Sequence, residues 1–305
     1  MWEITLLRYR FKVVNLLKLA AFLLKGTRLD RVRIIPIVGG LIAYLIAPSY
    51  RRQAVRKHQA MAGGTAFSRV QLEVAVIAAF SNYTRYWISL LVTPYQSALE
   101  IASNTKVINR DFLDLVLAQG NGALVVSPHI GNWDFGAAWF ATLGGRVLAV
   151  TEELDDHEVK EWFWKERRAK GIEPIYANKQ STAQILKALK DNYVVALVSD
   201  RDLLNNGVEI SFLGETIRIP GGPAVLALRS KTPILPCAIF MSSKNEHNVV
   251  FYSPIYPQEI VGSSLKDRVH ELTQQVGDAM GKMIQTAPSQ WLAFVALSGE
   301  NLVRK

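Results

Sequence analysis

What the chain lacks narrows what it can be. A single cysteine, Cys237, stands among 305 residues, which excludes a disulfide framework and a cysteine-built metal site and is compatible with a reducing cytosol. Set in the apolar run "ILPCAIF", it reads as a buried strand thiol rather than a nucleophile. Carboxylates are scarce too: 26 acidic against 35 basic residues leave a formal charge of +9. The uncharged stretch from Ile34 to Tyr50 is broken by Pro36, Gly39, Gly40 and Pro48, and it falls just short of the roughly 18 residues that a bilayer crossing requires. No fixed-period repeat and no low-complexity linker interrupts the chain, so its amino-terminal third is expected to pack with the remainder as one continuous domain. A cleavable signal peptide is not expected, because Arg8, Arg10, Lys12 and Lys18 break the first apolar segment.

What is present is apolar and unevenly charged. Half the residues are hydrophobic and a fifth are charged, at the greasy end of the soluble range and far from disorder. Between Met1 and Arg33 eight basic residues face only Glu3 and Asp30, and Arg51, Arg52, Arg56 and Lys57 follow. The spacing of Leu6, Tyr9, Val13, Leu16, Leu17 and Ala20 predicts an amphipathic helix over residues 4–24, with the cations on its other faces. Such a helix suits an anionic membrane surface, and it equally suits an ordinary domain helix with a solvated basic face. Basic residues are not interleaved with stacking aromatics, so nucleic acid is not expected as a partner.

The remaining pattern changes near residue 100. Before it, "RRQAVRKHQAMAG" and "SRVQLEVAVIAAFSNYTRYWISLL" read as helices. After it, the runs "ALVVSP", "RVLAVT", "VVALVS", "VEISFLG", "ILPCAIF" and "VVFYSPIY" read as strands, separated by helical segments near 154–170, 181–190, 221–230 and 264–286. The expected fold class is α/β: a central mixed sheet flanked by helices, with a helical, membrane-associating amino-terminal region. Residues 1–50 are assigned to that region and 51–305 to the α/β domain. In the last helix Leu265, Val269, Leu272, Val276, Met280, Met283 and Ile284 recur at three and four, a stripe that core packing alone explains.

The candidate chemistry lies in "SPHIGNWDFG", residues 127–136. His129 follows the strand run "ALVVSP", so it should emerge past a strand's carboxyl end, where open α/β sheets place ligands. If a helix begins at "GNWD", one turn brings the Asp134 carboxylate back under the imidazole, and the other ring nitrogen is left to take a proton from a hydroxyl. The alternative is a helix-capping histidine with Asp134 paired to a nearby cation. A second charged cluster, Asp200, Arg201 and Asp202, ends "VVALVS". It either fixes its own loop by an internal ion pair or lets Arg201 hold a phosphate or a developing oxyanion. Trp162, Phe163 and Trp164 either line an apolar groove, meet a membrane surface or pack within a helix. Ser127 two places before His129 invites a serine-hydrolase reading, which the absence of G-x-S-x-G opposes.

The ordered series "RRQAVRKHQAMAGG", "FSNYTRYW", "SPHIGNWD", "RRAKG", "VSDRDLLNNGVEISFLGE", "IPGGPAVLAL" and "APSQW" resembles the bacterial lysophospholipid acyltransferases related to the late acyltransferases of lipid A, closest to the phosphatidylinositol mannoside acyltransferase branch. The resemblance covers most of the chain. It implies a membrane-associated O-acyltransferase on the cytosolic face of the cytoplasmic membrane, taking a fatty acyl chain from acyl-CoA or acyl carrier protein to a hydroxyl of a glycolipid. It implies His129 as base, Asp134 as its orienting carboxylate and Glu209 as a further acidic member, with Arg167, Asp200, Arg201 and Asp202 around the substrate. No metal and no resident cofactor are expected. Lys179 and Asp134 differ from the arginine and glutamate of the lipid A branch and point away from lipid A as acceptor, though a lipid A-type acceptor stays open. A thioester hydrolase and a non-catalytic lipid-binding scaffold are the competing readings.

Overall fold

The computed structural model describes residue 15 and residues 19–24, 34–152, 157–178, 180–202, 206–242, 246–295 and 297. Of the amphipathic helix expected over 4–24, residues 15 and 19–24 are helical, and the rest of that reading lies outside the described residues, as does Lys179. In chain order the elements are α1 (Ile34–Ile46), α2 (Ser49–Gly63), α3 (Arg69–Val92), α4 (Ala98–Ser103), β1 (Thr105–Ile108), α5 (Arg110–Leu117), β2 (Ala123–Ser127), α6 (Trp133–Thr142), β3 (Val147–Thr151) and α7 (His157–Arg168). Then follow β4 (Ile172–Tyr176), α8 (Ser181–Lys190), β5 (Val194–Val198), β6 (Val208–Phe212), β7 (Glu215–Ile219), α9 (Gly222–Ser230), β8 (Ile234–Met241), β9 (His247–Phe251) and α10 (Leu265–Thr286).

Seven strands form one mixed sheet in the order β1-β9-β8-β2-β5-β3-β4, with only the β8–β9 pair antiparallel. The fold is therefore the α/β architecture with a central mixed sheet that the alternating runs predict. Three strands escape the hydrophobic pattern for local reasons. β1 is only "TKVI", β4 carries Pro174 in its middle, and β7 has only Ile217 and Ile219 apolar among five residues. The run "VEISFLG" is a strand, but it leaves the main sheet and pairs with β7 in a separate two-stranded hairpin. The hairpin's two connecting residues, Leu213 and Gly214, both have positive φ, the conformation that a tight turn between twisted strands demands.

One face of the main sheet packs on α8, α9 and α10, and the other on α5 and α6. Of the predicted stripe on α10, Leu272, Val276, Met280, Met283 and Ile284 are buried, whereas Leu265 is 68% exposed. Leu265 is the first residue after the capping Ser264, so it lies beyond the edge of the core.

Helices α1 and α2 meet at a bend of 119°, and among the described residues no single helix is long and apolar enough to cross a membrane. Helix α1 presses closely on α3 because Gly40 has no side chain: a Cβ there would lie 2.3 Å from Ser81 Cα. Its other face leaves Ile34, Ile37, Leu45 and Ile46 more than half exposed.

Two histidines are buried in this frame without a charge partner of their own. His58 on α2 bonds the Ala293 carbonyl through Nδ1, and His247 on β9 stacks on Phe135 with neither ring nitrogen bonded among the described residues. Burial pushes His58 down to about 4, and burial with the nearby Arg85 cation pushes His247 down to about 3. Both rings stay neutral in the folded chain well below the ordinary histidine value of about 6.5, so unfolding takes up protons in that window. Their contribution is complete above about pH 6.5 and falls as pH drops toward the folded values. Urea-unfolding free energies measured from about pH 7 to about pH 5 should therefore decline with a slope of about two protons. A flat profile over that range would contradict the burial of these rings.

Candidate active site

The central feature follows from strand register. Parallel strands β2 and β5 are neighbours, with Ser127 opposite Val198. His129 and Asp200 each lie two residues past those ends, so the sheet itself delivers them to one point. His129 Nδ1 meets Asp200 Oδ1 at 2.5 Å, and the His129 backbone N–H donates to Asp200 Oδ2 at 3.1 Å. The indole N–H of Trp291 donates to the same Oδ2 at 2.8 Å. Burial opposes ionisation of Asp200, but the imidazole and the three donors outweigh it and hold its carboxyl down at about 2. A carboxylate facing Nδ1 fixes the proton on that nitrogen. Nε2, which has no protein partner among the described residues, is then the acceptor of the pair.

Asp134 does not occupy that position. Asn132 caps α6, its side chain accepting from the Phe135 N–H at 3.0 Å, so Asp134 falls in the first turn as the spacing predicts. The part of that turn beside the imidazole is Trp133, whose ring meets His129 edge-on at 5.0 Å between centroids. Asp134 instead accepts from Arg167 Nε at 2.8 Å and from Tyr86 Oη at 2.9 Å. Burial works against its ionisation, yet Arg167 and Tyr86 keep its carboxyl below the usual range. The alternative in which Asp134 pairs with a cation is thus the observed geometry, and Arg167 is spent on that pair.

The other expected members separate. Arg201 lines the same cavity as His129, lies 3.8 Å from Glu152 Oε2, and has a buried Nε with no partner among the described residues. Asp202 accepts from the backbone N–H groups of Asn206 and Gly207 at 3.3 and 2.8 Å and so pins its own loop. Glu209 is on the β6–β7 hairpin, opposite Arg218 in the ladder, 63% exposed and away from the cavity lining. Cys237 is buried on β8, and burial raises its thiol pKa, as a strand thiol requires.

Behind His129 lies a cavity of about 500 Å³ between α6 and the inner face of the sheet. It exists because small residues share one row: Val125 is opposite Ala196, and Ala196 is opposite Ala149. Across from them α6 contributes Gly136 and Ala137. These mid-strand positions remain partly accessible although helices cover the sheet. The void runs from Ser127 and Thr151 at the strand ends to Val147, Val194 and Phe140 at depth, a drop of about 13 Å at the rise of an extended strand. Tyr83, Tyr86, Trp87, Trp133 and Phe163 surround the His129 end. Of the aromatic trio on α7, only Phe163 reaches the cavity; Trp162 is buried in a separate cluster and Trp164 packs on Tyr176.

Sequence reasoning gave no role to Tyr86 and Trp291, although both stand in quoted motifs, nor to the row Val125–Ala196–Ala149. A buried tryptophan needs a partner for its N–H, but the identity of that partner is set only by the folded chain.

Residues 37–297 match the model of the bacterial lipid A biosynthesis acyltransferase family. The phosphatidylinositol mannoside acyltransferase of Mycobacterium tuberculosis (strain CDC 1551 / Oshkosh) is 31% identical over 219 residues, covering 70% of this chain and 67% of that protein. Its counterpart from Mycolicibacterium smegmatis is 29% identical over 217 residues, covering 70% and 69%. With the resemblance of the ordered motifs carried through most of its length, the chain is an acyltransferase and belongs to the bacterial lipid A biosynthesis acyltransferase family.

Proposed function

We propose that this acyltransferase moves a fatty acyl chain from a thioester donor, acyl-CoA or acyl carrier protein, to a hydroxyl of a glycolipid of the phosphatidylinositol mannoside type. The observation that carries the reading is an imidazole braced by a buried carboxylate at the mouth of a largely apolar cavity of about 500 Å³. The acyl chain occupies the cavity, which places its thioester carbonyl beside His129. Nε2 takes the proton of the acceptor hydroxyl as its oxygen attacks the carbonyl carbon, and Asp200 stabilises the imidazolium. The tetrahedral oxyanion is met by the Arg201 guanidinium, which lines the cavity together with His129. Collapse expels the thiolate, which takes the proton from Nε2, leaving an ester and a free thiol.

The membrane is the second half of the proposal. Helix α1 turns Ile34, Ile37, Leu45 and Ile46 outward, an apolar face that fits the headgroup–acyl boundary of the cytosolic leaflet, with the basic amino-terminal segment meeting anionic headgroups. There the enzyme reaches both a soluble donor and a lipid acceptor.

The test uses the purified protein with radiolabelled acyl-CoA and, in parallel, acyl carrier protein bearing the radiolabelled chain, and anionic vesicles with or without mannosylated phosphatidylinositol. Label should enter the glycolipid, and thioester consumption should depend on the acceptor. Consumption without acceptor marks a hydrolase, and none in either case marks a scaffold. Leu41→Glu with Leu45→Glu, two exposed positions on one face of α1, should weaken vesicle binding by at least about tenfold, as the loss of two membrane-facing apolar side chains implies.

A further inference from the structure

The segment Pro288–Ala293 crosses behind the His129–Asp200 pair and is bonded to it at several points. Leu292 N–H donates to the His129 carbonyl at 2.6 Å, Gly131 N–H donates to the Gln290 carbonyl at 2.9 Å, and Ile130 and Trp291 form an antiparallel bridge. Gly131 lies between this segment and β8: its φ is +59°, and a Cβ there would lie 1.8 Å from the Ile239 carbonyl oxygen and 3.2 Å from Gln290 Oε1. The segment is gripped from its far side. Gln59 Nε2 donates to the Pro288 carbonyl at 2.9 Å, and Asn82 Nδ2 to the Ser289 carbonyl at 2.8 Å. His58 Nδ1 donates to the Ala293 carbonyl at 2.7 Å, with its ring 4.9 Å from that of Trp291. The Gln290 side chain bonds both the N–H and the carbonyl of Met241. Packing alone would not demand four polar side chains committed to one segment, two of them, His58 and Gln59, fully buried and costly there unless satisfied. Their common product is the fixed placement of one indole N–H.

We propose that Trp291 is a positioning residue for acyl transfer, acting through Asp200. Its N–H and the His129 backbone N–H both occupy Oδ2 of Asp200, which turns Oδ1 alone toward the imidazole. The carboxylate cannot rotate without breaking two hydrogen bonds, so the ring it holds keeps one orientation toward the cavity. Helices α2 and α3, which hold the strap through His58, Gln59 and Asn82, thereby set the geometry of a pair built on β2 and β5. The inference rests on the reading of His129 as the base.

The test compares Trp291→Phe, and Trp291 replaced by the isosteric 3-benzothienyl-alanine, which lacks only the N–H, in the wild-type and Asp200→Asn backgrounds. Loss of a hydrogen bond to a charged group should lower kcat by about tenfold, with KM for donor and acceptor unchanged. In the Asp200→Asn background the same replacements should change kcat by less than about twofold, since the pathway is already cut. The benzothienyl-alanine enzyme keeps the shape of the strap, so its result stands even where Trp291→Phe fails to fold. A benzothienyl-alanine enzyme at the wild-type rate, or losses that multiply in the double variants, would overturn the proposal. If His129→Ala is inactive in the same assay, that failure belongs to Trp291 alone; a fully active His129→Ala overturns the base assignment and this proposal with it.

Discussion

Replacing His129 by alanine is expected to lower kcat on the order of 10²–10⁴-fold, the usual range for removing a positioned general base, with KM for the acyl donor nearly unchanged. The asymmetry follows from the site's division of labour. The donor's chain is held by the apolar surfaces of β2, β3, β5 and α6, none of which the substitution touches, whereas the imidazole acts on a proton that moves only in the transition state. A sugar hydroxyl is a poor nucleophile at neutral pH, so little rate survives without the base. Truncation also leaves Asp200 buried with two donors instead of three, so the melting temperature should fall. Circular dichroism at the assay temperature separates that loss from the chemical one. A folded variant within about tenfold of the wild-type rate would remove His129 from the mechanism.

The second large effect discriminates between two carboxylates. Asp200→Asn should reduce kcat by about 10²–10⁴-fold, because an amide neither fixes the Nδ1–H tautomer nor stabilises the imidazolium. Asp134→Asn should leave kcat within about tenfold of wild type, since its partners are Arg167 and Tyr86 rather than His129. Its cost is in stability. Asp134 and Arg167 are 5% and 17% exposed, and removing one member of a buried pair leaves the other charge uncompensated, which costs about 3–5 kcal/mol. Both carboxyls are held below the ordinary aspartate range, so what they add to stability is fully present above about pH 4 and is lost as pH falls further. Steady-state kinetics paired with thermal melts read both effects on the same samples. The reverse pattern, an inert Asp134→Asn and an active Asp200→Asn, would return the orienting role to the aspartate five residues from His129.

The sequence by itself determined most of the elements, though not β1, β4 and β7. Apolar runs bounded by turn residues marked β2 and β5, helical spacing marked α8 and α10, and a histidine after "ALVVSP" had to leave a strand at its carboxyl end. These are local consequences of side-chain periodicity, and they survive into the fold. Tertiary structure alone decided which carboxylate meets the imidazole. Five residues of separation place Asp134 in the right turn, but the rotation of that turn presents Trp133 to the ring. Asp200 is 71 residues away in sequence and arrives through the pairing of β2 with β5. The cavity has the same origin: Val125, Ala149 and Ala196 are unremarkable strand residues until register puts them in one row. Periodicity along a strand marks its buried face, but which strand lies beside it depends on how distant surfaces pack in three dimensions.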